Sequence, residues 1–163
     1  MKVECIVVSD TRFGSGGFTL IELMLGISVA AVLLALAVPS FQNVTANNAL
    51  RTASADLVTA INTARSQAVN LRKDVVLKQK NSDWSDGWEV EYDTSVSVEG
   101  TQEFTPSGNV TVNMSLSELT FRPSGMVSDE AEFTICDDRS GENGRRIRVK
   151  KFGVIENETI VCG

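Results

Sequence analysis

Three groups of residues in this 163-residue chain have the types and spacing to do chemistry. The first is a lone carboxylate, Glu22, near the head of the run "FTLIELMLGISVAAVLLALAV". That run spans Phe18 to Val38, 21 residues with no other charge, no Asn, no Gln and no Pro. As a helix it would be about 30 Å long, enough to cross a bilayer core. An ionised carboxylate near the lipid interior costs roughly 3 kcal/mol even on a lenient insertion scale, so Glu22 needs a partner or a purpose. The second group is Asp137, Asp138 and Glu142, which follow Cys136. They lack the regular ligand spacing and the glycine of a calcium loop, and read as a solvated turn. The third is "RRIRVKK", which puts Arg145, Arg146, Arg148, Lys150 and Lys151 within seven residues. In a strand, Ile147 and Val149 would face inward and Arg146, Arg148 and Lys150 would form an outward basic row.

Composition narrows what these groups can do. The chain has no histidine, which removes the commonest general base, the commonest neutral metal ligand and any Ser-His or Cys-His nucleophile pair. No catalytic constellation remains, so the expectation is a protein that is not an enzyme and needs no cofactor or metal. A net charge of −6 argues against a surface that binds nucleic acid as a whole. The charge is also segregated: residues 82–142 hold 14 acids against two bases, Arg122 and Arg139. The basic row that follows could track a phosphate backbone, meet an acidic neighbour, or simply protect an edge strand from aggregation.

The cysteines number three, at Cys5, Cys136 and Cys162. The odd thiol is accounted for if Cys5 lies in a segment that is removed. Cys136 and Cys162 would then close a loop of about 25 residues, worth on the order of 3 kcal/mol in an oxidising compartment. Two buried free thiols in a cytosolic domain are the alternative.

The elements that must position these groups follow from hydrophobic period. Beyond Pro39, "SFQNVTANNALRTASADLVTAINTARSQAVNLRKD" carries Leu50, Ala53, Leu57, Ile61, Ala64, Ala68 and Leu71 in steps of three and four, a helical stripe. Pro39 removes one backbone donor and is expected to kink the helix. From Val75 the period changes to two. "DVVLKQK", "GWEVEYD", "NVTVNMS", "ELTFRP", "AEFTIC" and "RRIRVKKF" read as short strands, with "SDWSDGW" and "RSGENG" as turn-rich connections. The expected fold class is α+β, a long N-terminal helix packed on an antiparallel β-sheet head.

"GG-FTLIEL" resembles the prepilin peptidase site of type IV pilins and type II secretion pseudopilins. The apolar core lies after the Gly pair, where a signal-peptidase substrate would have it before the cut. The resemblance implies cleavage after Gly17, methylation of the new amine on Phe18, and Glu22 as the family's assembly acid. It also implies a chain with residues 1–17 as leader, 18–39 as transmembrane and assembly helix, 40–74 as its amphipathic continuation, and 75–163 as a periplasmic β-rich head. A second stretch, with "FRPSG", "CDDR" and Phe152-Gly153, is similar to H-type pseudopilins and FimT-like minor pilins. The implied function is a minor pilin that enters or primes a type IV pilus-type filament, with an H-type pseudopilin of type II secretion and a DNA-binding minor pilin for DNA uptake as the alternatives. Implied partners are prepilin peptidase, other minor and major pilins or pseudopilins, the inner-membrane assembly platform and membrane lipid. Some FimT-like proteins bind DNA through a C-terminal Gly-Arg-x-Arg segment. The matching residues here, Gly153-Val154-Ile155-Glu156, lack both arginines, so DNA contact would have to come from Arg146, Arg148 and Lys150.

A positive amine at a helix start faces the positive end of the macrodipole, an arrangement a carboxylate one turn away relieves. A buried charge pair of this kind is best suited to fixing register between subunits.

Overall fold

The computed structural model describes residues 17–92 and 101–163. Cys5 and residues 1–16 of the expected leader lie outside them. Among the described residues one helix, α1 (Leu20–Leu71), is followed by eight strands: β1 (Val75–Lys80), β2 (Asp83–Glu91), β3 (Gln102–Phe104), β4 (Val110–Met114), β5 (Glu118–Phe121), β6 (Ala131–Asp137), β7 (Asn143–Val149) and β8 (Ile155–Val161). The expected α+β plan of one long helix with antiparallel strands is what the chain adopts. Pro39 lies inside α1, which continues past it as a single element. Arg72 stops the helix by turning into the left-handed region at φ 54°. Val75 and Val76 then begin the first strand.

The chain divides into two compact units, residues 1–40 and 41–163. In the second, two four-stranded sheets form, ordered β3-β2-β1-β5 and β4-β6-β7-β8. Residues Leu50, Ala53, Leu57, Ala60, Ile61, Ala64 and Ala68 of α1 are all buried, so the helical stripe is a packing face. Leu71 is only partly buried, at its fraying end. Against this stripe the strands bury one face each: Val75 and Leu77, Trp88 and Val90, Leu119 and Phe121, Phe133 and Ile135, Ile147 and Val149. Both sheets and the helix thus share one apolar cluster.

Besides the short strand β3, which the sequence reading did not contain, two connections differ from that reading. "SDWSDGW" is mostly strand, because the β1–β2 turn needs only Asn81 and Ser82, both at positive φ (49° and 68°). Two such central residues match the twist of a hairpin. The register between β1 and β2 then shifts at Gln79/Lys80, leaving Trp84 to Gly87 bulged out of the ladder. The bulge serves the other sheet. Trp84 meets Phe133 edge-on at 5.1 Å and donates to the Leu116 carbonyl, while Ser85 Oγ accepts from Val112 N–H. The second difference is β8, which extends the sheet beyond the basic strand, so β7 is internal where an edge was one expectation.

Candidate functional site

The first turn of α1 is built by a local sequence device. Thr19 precedes the helix and its Oγ1 accepts from Glu22 N–H at 3.2 Å, while its carbonyl accepts from Leu23 N–H. Thr19-x-x-Glu22 is thus the spacing of a capping box, with the acid in the turn where the macrodipole favours it. The sequence reading attended to Glu22 and missed the cap; the T-x-x-E spacing was its signal. Among the described residues no side chain pairs with the Glu22 carboxylate.

From Phe18 to Val38 the helix surface is open. Phe18 is 84 % exposed and Leu36 72 %, and the apolar window of the helix has none of its area buried within the chain. By length and composition this helix is able to cross a membrane. Its one interior hydroxyl, Ser28, is satisfied by the Met24 carbonyl at 2.7 Å, which lowers the cost of an apolar environment. Phe18, Glu22, Leu23, Gly26, Ile27 and Ala30 line a shallow groove. A Cβ on Gly26 would meet nothing within 4 Å, so the groove is open to a neighbouring helix.

In the head, the residues that carried the second resemblance turn out to be fastenings. Arg65 on α1 donates to three carbonyls: Gly125 at 3.1 Å, Gly153 at 3.2 Å and Phe152 at 3.2 Å. It draws together the turns "FRPSG" and "KKFG". Gly153 sits at φ +74°, and a Cβ there would stand 2.7 Å from both Arg65 Nε and the Gly125 carbonyl. No other residue type fits that close approach. Asp137 of "CDDR" pairs with Arg139, which also donates to Asn43 Oδ1 at 3.1 Å and Asn47 Oδ1 at 2.8 Å on α1. Burial pushes the Asp137 carboxyl up, but the Arg139 side chain and backbone N–H outweigh it and hold the group below its usual range. Asp138 accepts from Asn109. The expected solvated acidic turn is therefore a hydrogen-bonded tie, and no metal-binding cluster occurs among the described residues.

Cys136 and Cys162 form a disulfide, with Cα atoms 6.0 Å apart. It joins the ends of β6 and β8 across β7. Gly144 makes this possible: a Cβ there would collide with Cys162 Sγ and stand 3.0 Å from Cys136 Sγ.

Arg146 and Arg148 stand on β7 with Ile147 and Val149 inward as expected, whereas Lys150 follows the strand, which ends at Val149 and does not run on to Phe152. The charges of this basic row are matched from both neighbouring strands. Arg148 pairs with Glu132 of β6 at 2.7 Å and Glu158 of β8 at 3.1 Å. Arg146 Nε stands 3.2 Å from Glu132 Oε1, at ion-pair distance but off hydrogen-bond angle. Lys150 stands 3.5 Å from Glu156. The Arg148 hydrogen bond, then the charges of Arg146 and Lys150, hold the Glu132 carboxyl below its ordinary value.

Comparison with known proteins decides the family. The sequence profile described as type II transport protein GspH matches residues 53–153. The chain belongs to the GspH family. A prokaryotic N-terminal methylation motif matches residues 12–38, the segment around Gly17, Phe18 and Glu22. Among solved structures, the type IV minor pilin FimU of Pseudomonas aeruginosa matches with TM-score 0.59 and 25% identity, covering 70% of this chain and 91% of that one. A second crystal form of FimU gives 0.57 at 25% identity, covering 67% of this chain and 92% of that one. The minor pseudopilin EpsH of Vibrio cholerae shares the fold, with TM-score 0.52 and 11% identity, covering 67% of this chain and 95% of that one. No curated protein matches in sequence. As a GspH-family protein the chain is a minor pilin or pseudopilin, a family of structural subunits and not of enzymes. The family match spans both turns held by Arg65, and the methylation motif spans the capped, exposed apolar helix.

Proposed function

We propose that this chain is a minor pilin of a type IV pilus-type filament, cut by prepilin peptidase after Gly17 and methylated on Phe18. The observation that carries the proposal is the Phe18–Val38 surface, apolar and unburied, with one unpaired carboxylate a single turn from the cleavage position. In the membrane that surface faces lipid, with the head in the periplasm. On assembly it exchanges lipid for the helices of other subunits, Gly26, Ser28 and Ala30–Ala31 allowing close approach. Glu22 then meets the terminal amine of a neighbour and sets the axial register. Pro39 is taken as the kink of the helix. The inner-membrane assembly platform and other pilins are the partners this route requires.

The pilus reading is favoured over secretion by the 25% identity to a type IV minor pilin, against 11% to the pseudopilin. An H-type pseudopilin of type II secretion is the second reading, favoured by the family description itself. Glu22→Ala tests the assembly role. The variant should insert in the inner membrane at wild-type level yet be missing from sheared filaments. Wild-type incorporation would refute the role given to Glu22.

A further inference from the structure

Beside the compensated row lies a cleft of about 270 Å³, lined by Asn47, Leu50, Arg51, Asn143, Arg145 and Thr159. Two of these are arginines, and neither has a carboxylate partner among the described residues. Arg145 uses one donor on Thr159 Oγ1 at 3.0 Å, and Arg51 uses none. Asn47 is oriented by Arg139, which can only donate, so the amide oxygen faces Arg139 and the amide N–H groups are left over. Leu50 is buried beneath. The bases that follow Arg145 in this segment, Arg146, Arg148 and Lys150, each have a carboxylate within ion-pair distance, whereas Arg51 and Arg145 have none among the described residues.

We infer that this cleft receives a side-chain carboxylate, Asp or Glu, from a neighbouring subunit of the filament. The inference rests on the filament reading above. A guanidinium presents a planar fork of donors that matches a carboxylate by two parallel bonds, and two such cations facing one concavity favour an anion. The flanking surface points to a protein as its source. Phe41 and Val44 are 73 % and 54 % exposed and share a helical face with Arg51, at steps of three and seven. An aromatic ring, an aliphatic side chain and arginine around a desolvating cleft is the make-up of a protein interface core. A nucleic-acid track would need a run of free cations and stacking rings. Here the adjacent Arg146, Arg148 and Lys150 are matched by carboxylates, so no such run of free cations flanks the cleft.

The test uses the full chain assembled into filaments in its native host. Arg51→Lys and Arg145→Lys each place a primary amine in the cleft, with Asn70→Lys as an exposed control on the same helix. A water-soluble carbodiimide condenses a touching carboxylate and amine to an amide, taking up the water as a urea. Peptide mass mapping should show position 51 or 145 joined to an Asp or Glu of another subunit, several-fold above the control. Coupling no better than the control, or only to an acid of the same chain, would overturn the inference while leaving the filament reading intact. Absence of the wild-type chain from filaments would overturn both. A salt-sensitive gel shift of duplex DNA, lost in the Arg51→Glu/Arg145→Glu variant, would reassign the cleft to phosphate and also overturn it.

Discussion

Asp137 and Arg139 stand two positions apart, and their pairing is of a kind that sequence can suggest. What Arg139 does next is not, because Asn43 and Asn47 lie 96 and 92 positions away. The same holds for Arg65, whose carbonyl partners sit in two distant turns. "FRPSG" and "CDDR" were legible as marks of a resemblance, while their physical work depended on tertiary contacts no local pattern encodes. The Asp137 contact has a pH signature. Its carboxyl is held below the unfolded-state value of about 4, so the contact contributes fully above that pH. The contribution is lost as pH falls through the lower folded value. Melting temperature followed from neutral pH into acid should therefore drop, and Asp137→Asn should start lower at neutral pH and shed part of the acid slope. A residual slope remains from Glu132, also held low by its arginines. An acid limb unchanged in the variant would contradict the assignment.

Among the elements, those with a clean period were legible. The helical stripe from Leu50 to Ala68 and the alternation of β1, β4, β6 and β7 all face the core as read. The first half of strand β2 was obscured by Asp83, Asp86 and Gly87, turn-forming residues of which Asp83 pairs with Lys80 and the other two lie in the bulge. Strand β8, "IENETIV", was missed because its residues are mostly exposed, so it lacks an apolar face to announce it. It is held by pairing instead: its register places Glu156 and Glu158 opposite Arg148 and Arg146. The disulfide fastens the end of this strand to β6. Cys136→Ser/Cys162→Ser should therefore lower stability by about 3 kcal/mol in denaturant unfolding. Amide exchange should rise first along β8. Equal stability of the two proteins, with β8 equally protected, would show that pairing alone suffices.

At the scale of the whole molecule, residues 1–40 and 41–163 face opposite problems. The second unit buries its apolar residues against one another. In the first, the described apolar residues from Phe18 to Val38 are exposed, and so imply an apolar surrounding that the described residues do not supply. That division was legible in the sequence because a 21-residue apolar run with Glu22 as its one charge has few other meanings. The identity of the subunits proposed to replace lipid was not legible, since complementarity lies half in another chain. The central claim is that Glu22 is tolerated in the apolar helix because processing creates an amine for it to meet. Intact mass of the chain extracted from membranes tests this most directly. The account predicts loss of residues 1–17, one added methyl group on Phe18 and two hydrogens missing at Cys136–Cys162. A chain of full mass that retains Met1 and carries no methyl group would contradict it.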